Sequence, residues 1–169
     1  VVPGVRGFEI FADHGNTLSF DHSTAIRLTD SSVHSIIADQ PRERLVIGSK
    51  YGITVLDPFR GTSSSFGMPA GLEINVLERN SVGGLDFLLL GSNIGFHSII
   101  MENGIPMMES MTTNEIGEIS VIYSIESESI DLGILLIGEE VWKVTFSAEQ
   151  STLIQSEISA VEPLFSLLE

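Results

Sequence analysis

The stretch RLVIGSKYGITVLDPFRGTSSSF, residues 44–66, decides the fold. It opens with the apolar segment 45–47, passes a glycine-bounded turn, and continues with apolar side chains at Ile53, Val55 and Leu56. A second turn, containing Pro58, leads to the polar segment 62–66. Short segments of this kind, separated by glycine- and proline-containing turns, are typical of antiparallel strands. We therefore predict a series of strands joined by tight turns.

The same plan recurs at a nearly constant spacing. The turn Gly48-Ser49-x-x-Gly52 returns 43 positions later as Gly91-Ser92-x-x-Gly95, Gly7 precedes Gly52 by 45 positions, and Gly91 precedes Gly138 by 47. A period in the forties with four short strands per repeat is typical of β-propeller blades. The chain is therefore predicted to be all-β and to form one β-propeller domain, or a segment of one, over residues 1–169.

The repeat also sets the predicted boundaries of the units. We predict complete four-strand blades at 33–66, 74–108 and 119–155, a partial blade at 7–20, and a tail strand or short helix at 158–168. Residues 109–118 are interpreted as a polar linker. In the third complete copy, Trp142 takes the place of the second glycine. A β-sandwich with evenly spaced strands remains the alternative fold.

One stretch carries a resemblance to known proteins: Leu45-Val46-Ile47-Gly48-Ser49-x-x-Gly52-Ile53-x-Val55-Leu56-Asp57-Pro58-x-x-Gly61. It resembles blades of bacterial and archaeal β-propellers, namely the quinoprotein-like, YVTN-like and two-component-sensor-type repeats. Leu88-Leu89-Leu90-Gly91-Ser92-x-x-Gly95 repeats its first half. The resemblance implies a propeller fold. Two departures from the wider pattern are that no Trp-Asp pair ends a strand, and that Trp142 is the only tryptophan, so the docking pattern of quinone enzymes is missing.

The charge of the chain limits the classes of partner. The net charge is −15, and from Asn80 onward 14 acidic residues stand against the single basic residue Lys143. Such a surface repels phosphate backbones, so nucleic-acid binding is not expected. The longest apolar runs, 87–90 and 132–137, are much shorter than the roughly 20 residues of a membrane helix, and no membrane span is predicted. The absence of cysteine excludes disulfides and thiolate sites, and the compartment is left open.

The number of strands raises the question of how a ring would close. The high apolar fraction, 43%, and a first residue that is Val1 rather than Met favour a processed chain or a piece of a longer one. We expect further propeller sequence or a protein partner to complete the ring. Closure as four blades within the chain, with the tail joining 7–20, and pairing of two copies are the alternatives.

Candidate chemistry is sparse. The four histidines His14, His22, His34 and His97 show no metal-ligand spacing, and a structural or solvated role is predicted for each. We expect no catalytic residue, metal or cofactor. The turns between second and third strands should share one side of a propeller and form a binding face. That face would present Lys50, Tyr51, Asn93, Ile94, Glu139, Glu140 and Trp142.

The predicted function follows from this face. We predict a non-enzymatic, acidic propeller scaffold that mediates protein–protein interaction or assembly as a subunit of a larger complex. The alternatives are a ligand-sensing propeller module, or a fragment of a propeller hydrolase or lyase whose catalytic residues lie elsewhere. The question of enzymatic activity is left open.

Overall fold

The structure, a computed structural model, describes residues 2–4, 7–13, 18–24, 33–127, 130–138 and 141–154. The chain divides into two compact units, Val1–Ala70 and Gly71–Glu169. All strand pairings in the described part are antiparallel, and they form four sheets. The prediction of an all-β chain made of hairpin-connected strands is confirmed at this level.

The first unit contains sheets 1 and 2. Sheet 1 joins three strands in sequence order: β1 (Val2–Gly4), β2 (Gly7–Asp13) and β3 (Leu18–Thr24). Sheet 2 joins four strands in sequence order: β4 (Val33–Asp39), β5 (Arg44–Ser49), β6 (Gly52–Asp57) and β7 (Thr62–Gly67). A 3₁₀ turn, Gln40–Arg42, connects β4 to β5.

The two middle strands of sheet 2 are buried on both faces. Neighbouring residues of β5, Val46 and Ile47, are inaccessible to solvent, as is Ile53 on β6. This pattern explains why the strand segments 45–47 and 53–56 are apolar at neighbouring positions, apart from Thr54, because a strand covered on both sides has no water-facing positions. The serines of β7 are exposed instead, as suits a strand at the edge of a sheet.

The second unit contains sheets 3 and 4. Sheet 3 comprises β8 (Ile74–Val82), β9 (Leu85–Ser92), β10 (Phe96–Glu102), β11 (Ile105–Pro106) and β12 (Thr112–Asn114). Sheet 4 comprises β13 (Ile119–Ser127), β14 (Asp131–Gly138), β15 (Val141–Ser147) and β16 (Thr152–Ile154), paired in sequence order.

The outer strand of sheet 3 differs from the prediction. Instead of one strand at 105–108 followed by a linker, the short β11 is followed by a 3₁₀ turn, Met108–Ser110. The chain then returns as β12, which pairs with β10 through His97 and Thr113. The linker prediction was therefore wrong at 112–114. The three polar residues of β12 lack the alternation of apolar side chains that marks a strand in a sequence.

Side-chain hydrogen bonding compensates for this excursion. Where a continuous outer strand would pair, the N–H of Ile100 donates to Ser110 Oγ over 2.8 Å, and the Ile100 carbonyl accepts from the N–H of Met107 over 2.9 Å. A buried backbone group without a partner costs about 1–3 kcal/mol. The Ser110 hydroxyl therefore replaces one ladder bond.

Sheets 3 and 4 pack against each other around a common core. Phe146 of β15 lies edge-on to Phe87 of β9, with ring centres 5.0 Å apart, and 6.0 Å from the ring of Phe96. Burial of each such side chain contributes about 1.5–3 kcal/mol. The remaining buried members of this cluster are Val82, Leu89, Ile119, Ile122, Leu132, Ile134, Leu136, Val144 and Ala148.

A β-bulge recurs at the same place in three sheets. The ladder between the first two strands shifts between Val33 and Ser35 in sheet 2, between Ile74 and Val76 in sheet 3, and between Ile119 and Val121 in sheet 4. This common irregularity lets positions be matched between sheets by register. No helix in the described part of the chain is long and apolar enough to cross a membrane.

Candidate interaction surfaces

The hairpin between β5 and β6 presents two of the predicted contact residues. Ser49 pairs with Gly52, and its Oγ donates to the Gly52 carbonyl over 3.0 Å, which closes the turn and leaves Lys50 and Tyr51 at its tip. Tyr51 is 50% exposed, and Lys50 Nζ lies 5.2 Å from the centre of its ring, within cation–π range. The turn thus holds an exposed aromatic side chain beside a positive charge.

The matching hairpin between β9 and β10 is built by the same serine. Ser92 Oγ lies 3.1 Å from the Gly95 carbonyl oxygen and accepts the N–H groups of Ile94 and Gly95. A Cβ at Gly95 would stand 2.0 Å from the Asn114 carbonyl oxygen, so only glycine fits there. The Gly-Ser-x-x-Gly pattern is therefore a turn motif whose residues are used by the fold.

Asn93, another predicted contact residue, is held by structural hydrogen bonds. Its Oδ1 accepts the Glu73 N–H over 2.9 Å, its Nδ2 donates to the Gly71 carbonyl over 3.0 Å, and its own N–H donates to the Glu73 carbonyl over 3.1 Å. These bonds fasten the entry segment of sheet 3 to the hairpin. Ile94, in contrast, is partly exposed at the tip.

Trp142 lies on β15, not in the turn before it. It pairs with Leu136 and packs, half-buried, against the core between sheets 3 and 4. By register it matches His97 of sheet 3 and Thr54 of sheet 2, so the sequence alignment that set it on the second glycine was wrong by two positions. Glu139 and Glu140, the remaining predicted contact residues, lie outside the described residues.

His97 is buried within sheet 3 and bonded on both ring nitrogens. Its Nε2 lies 2.7 Å from Ser92 Oγ and its Nδ1 lies 3.0 Å from Thr113 Oγ1. Burial, which disfavours the charged form, lowers the pKa of His97 from 6.5 to about 4. A neutral imidazole therefore joins the hairpin, β10 and β12. Among the described residues, no group of three or more acidic or histidine side chains could hold a metal ion.

Sequence reasoning missed a further surface, which we call the outer face of sheet 4. It is formed by Val121 and Tyr123 of β13 together with Leu135 and Ile137 of β14, and Ile125 borders it. Tyr123 is 64% exposed, Val121 43% and Ile125 47%, whereas Leu135 and Ile137 are half-buried. Register places these side chains together, because Tyr123 pairs with Leu135 and Val121 with Ile137. The signal in the sequence was the run 132–137, apolar at positions of both faces apart from Gly133.

The comparisons with known proteins indicate a fold and no family. No protein-family model matches the chain, and no curated protein matches it. Among solved structures, the crystal structure of BBS1N in complex with ARL6DN, soaked with mercury, is similar, with a TM-score of 0.58 and 14% sequence identity. That neighbour is a β-propeller, and the likeness supports a propeller-like fold for this chain.

The extent of the match differs between the two chains. It covers 88% of this chain and 46% of the solved one, so the chain spans less than half of the neighbour's length. At this identity the likeness concerns the fold alone. The particular propeller superfamily remains a prediction.

Proposed function

We propose that the chain is a non-enzymatic scaffold of the β-propeller type, which binds another protein as part of an assembly. The outer face of sheet 4 carries this proposal. It combines an aromatic side chain, 64% exposed, with aliphatic neighbours on a hydrogen-bonded sheet. Tyrosine is enriched among the residues that dominate binding energy at protein interfaces, and a contiguous exposed apolar patch commonly marks a contact site.

Two further observations support the proposal. The solved neighbour, itself a propeller, was crystallised in complex with a protein, ARL6DN. Two buried side chains of types that often carry chemistry, Ser92 and His97, are engaged in hydrogen bonds within the fold. This use of polar groups suits a scaffold.

The proposal includes an arrangement of blades. Sheets 2, 3 and 4 would be three complete blades and sheet 1 a partial one, within a single propeller or propeller segment. Lys50, Tyr51 and Ile94 remain proposed contacts at hairpin tips, as do Glu139 and Glu140. Asn93 and Trp142 are proposed only as supports of such a face, because Asn93 is bonded to the neighbouring segment and Trp142 packs against the core.

The mass of the native particle tests the proposal. We expect the protein purified from its source under native conditions to travel in a particle heavier than the 18.3 kDa chain, as measured by size exclusion with light scattering. Repeating the measurement after dilution and at high salt would separate a stable contact from a weak electrostatic one. A particle of 18.3 kDa under all conditions would contradict the proposal.

A further inference from the structure

Sheets 3 and 4 begin in the same way, which allows their first strands to be compared residue by residue. After the shared bulge, Leu77 of β8 pairs with Leu90, and Ile122 of β13 pairs with Leu136. Leu77 therefore matches Ile122, and the neighbouring residues follow. Three positions matter here: Asn75, Val76 and Glu78 in β8 match Ser120, Val121 and Tyr123 in β13. Ile125 lies in a second bulge of β13, between Ser124 and Glu126, and has no counterpart in β8.

In β8, these positions make the contact with the next sheet. Asn75 Nδ2 donates to the Ile119 carbonyl over 3.1 Å, and Asn80 Nδ2 donates to Ser124 Oγ over 3.0 Å. The Ser124 hydroxyl donates to the Glu78 carboxylate. Val76 packs against the core shared by the two sheets. One side of β8 therefore forms the contact with sheet 4.

In β13, the matching positions are exposed. Ser120, Val121 and Tyr123 face solvent, and so does the neighbouring bulge residue Ile125. All of them except Ser120 are large apolar or aromatic residues. The second strand agrees with this picture, since Leu135 of β14 matches Leu89 of β9, which is fully buried. Sheet 4 therefore carries exposed apolar residues at the positions through which sheet 3 contacts its neighbouring sheet.

We propose that the outer face of sheet 4 receives a further antiparallel sheet of the propeller type, supplied by a partner protein, and that this sheet stacks on sheet 4 as sheet 4 stacks on sheet 3. The proposal rests on the proposed function and names the kind of partner. The first strand of the incoming sheet would lie over Val121, Tyr123 and Ile125. In sheet 4, the corresponding covering strand is β13 itself, with Ile119 and Ile122 directed into the shared core.

The residues of the outer face specify the chemistry of the partner. Tyr123 replaces the glutamate of β8 and Ser120 replaces Asn75, whereas Val121 matches Val76, so this contact would be drier than the one between sheets 3 and 4. The partner must offer an apolar strand face and one hydrogen-bond acceptor for the Tyr123 hydroxyl, because a buried hydroxyl without a partner is costly. Lys143 is exposed and stands beside Leu135 in the ladder, which favours an acidic group opposite it.

Charge argues against a second copy of the chain as the occupant. Each copy carries a net charge of −15, and association of two such surfaces is opposed by repulsion. The contact between sheets 3 and 4 also joins two different faces, whereas two outer faces meeting each other would bring two like faces together. A different protein satisfies both conditions.

A photo-crosslinking side chain at position 123 tests the partner's identity. The variant Tyr123→p-benzoylphenylalanine would be produced in the native source, irradiated as the purified particle, and analysed by peptide mass spectrometry. We expect cross-links to a peptide of a different protein, with the alternating apolar pattern of a strand. The same amino acid at position 59, in the exposed turn between β6 and β7, is the matched control and should not reach that peptide.

Other cross-linking results would overturn the proposal. A peptide from the same polypeptide would show that this protein, or a second copy of it, covers the face. A peptide from a helical or irregular segment would show a partner of another kind. A particle heavier than one chain that gives no cross-link from position 123 would show that the partner binds elsewhere, which leaves the proposed scaffold function standing.

Affinity supplies the second measurement. Because a central interface tyrosine typically contributes 2 kcal/mol or more, Tyr123→Ser should weaken assembly about 30-fold, and Phe59→Ser, at an exposed turn residue outside the proposed contacts, should leave it unchanged. Thermal unfolding would check that both variants fold, as expected for substitutions of exposed residues. An unchanged dissociation constant for Tyr123→Ser overturns the inference, whereas a wild-type particle of single-chain mass would also remove the proposed function.

Discussion

Sheets 3 and 4 have nearly the same ladder and differ in how they are covered. The second strand of sheet 3, β9, is buried at every residue from Phe87 to Ser92, while β14 in sheet 4 alternates between buried and half-buried residues. Both strands are apolar on both faces. An alternating burial pattern normally accompanies an alternating sequence. The comparison teaches that β14 has the composition of a strand covered on two sides, although it is covered on one.

Alanine substitutions at matched leucines should give the largest difference between the sheets. Leu89→Ala should lower the free energy of unfolding by about 2–5 kcal/mol, because the side chain is fully buried. Leu135→Ala at the matching position should cost about 1 kcal/mol, since that side chain is only half-buried in the folded state and loses less contact with water on folding. Urea denaturation of the two variants measures both values.

A second pair of leucines serves as the control. Leu90 and Leu136 match each other and are both fully buried, so Leu90→Ala and Leu136→Ala should each cost about 2–5 kcal/mol. Equal losses for Leu89→Ala and Leu135→Ala would break the comparison. A larger loss in the free energy of unfolding for Leu135→Ala in the intact assembly than in the isolated chain would sharpen the comparison.

The spacing between the two sheets depends on Gly91. A Cβ there would stand 2.7 Å from the Ile119 carbonyl oxygen and from its Cγ2 atom. Gly91→Ala should therefore force sheet 4 away from sheet 3 and cost about 1–3 kcal/mol. Gly67→Ala, where nothing lies within 4 Å of the added atom, is the control and should be close to neutral. Thermal denaturation measures both, and a neutral Gly91→Ala would show that the sheets can part without cost.

The stability of the outer edge of sheet 3 should depend on the hydroxyl group of Ser110. Ser110→Ala removes the acceptor of the Ile100 N–H and should cost about 1–3 kcal/mol. Amide hydrogen exchange would locate the effect, because protection should fall at Ile100 and in β12 and not in sheet 4. Ser64→Ala on the exposed edge strand β7 should change stability by less than about 0.5 kcal/mol. Unchanged exchange at Ile100 would mean that water replaces the hydroxyl.

The stability of sheet 3 should depend on pH in mild acid through a residue that has no titratable counterpart in sheet 4. This effect should be smaller than those of the substitutions above. The pKa of His97 is lowered to about 4 in the folded protein, so between pH 6.5 and about 4 the unfolded chain takes up a proton that the folded chain does not. Stability from this group is therefore present above pH 6.5 and is lost as the pH falls towards 4. The matching residue of sheet 4, Trp142, does not titrate. The variant His97→Gln should show a weaker dependence of its unfolding midpoint on pH in this window, and an identical dependence would contradict the assignment.

Local features were predictable from the sequence. The hairpin at Gly48–Gly52 and its copy at Gly91–Gly95 were found because a serine and two glycines at fixed spacing act within the turn itself. The all-β character followed from short apolar segments between turns. The interruption at Met108–Ser110 could not be predicted, since it depends on Ser110 reaching a backbone group ten residues away.

The candidate site was harder to predict than the fold. Asn93 looks like a solvent-facing turn residue in the sequence, but its amide bonds a segment about 20 residues earlier. The outer face of sheet 4 was overlooked because apolar residues on both sides of a strand reveal that both sides can be covered, and not which side is. Tyr123 became a candidate only through its exposure in the folded structure.

The detour in the outer strand of sheet 3 has a consequence for how such a chain can change in length. The paired residues Thr54 and Ser65 of sheet 2 are 11 positions apart, whereas the matching pair His97 and Thr113 of sheet 3 are 16 apart. Five extra residues are therefore accommodated at the rim while the three inner strands keep their register. The outer edge of the sheet therefore tolerates insertions, so the repeat can gain residues there by evolution or by design. A short peptide tag inserted between Met107 and Met111 should leave the core intact.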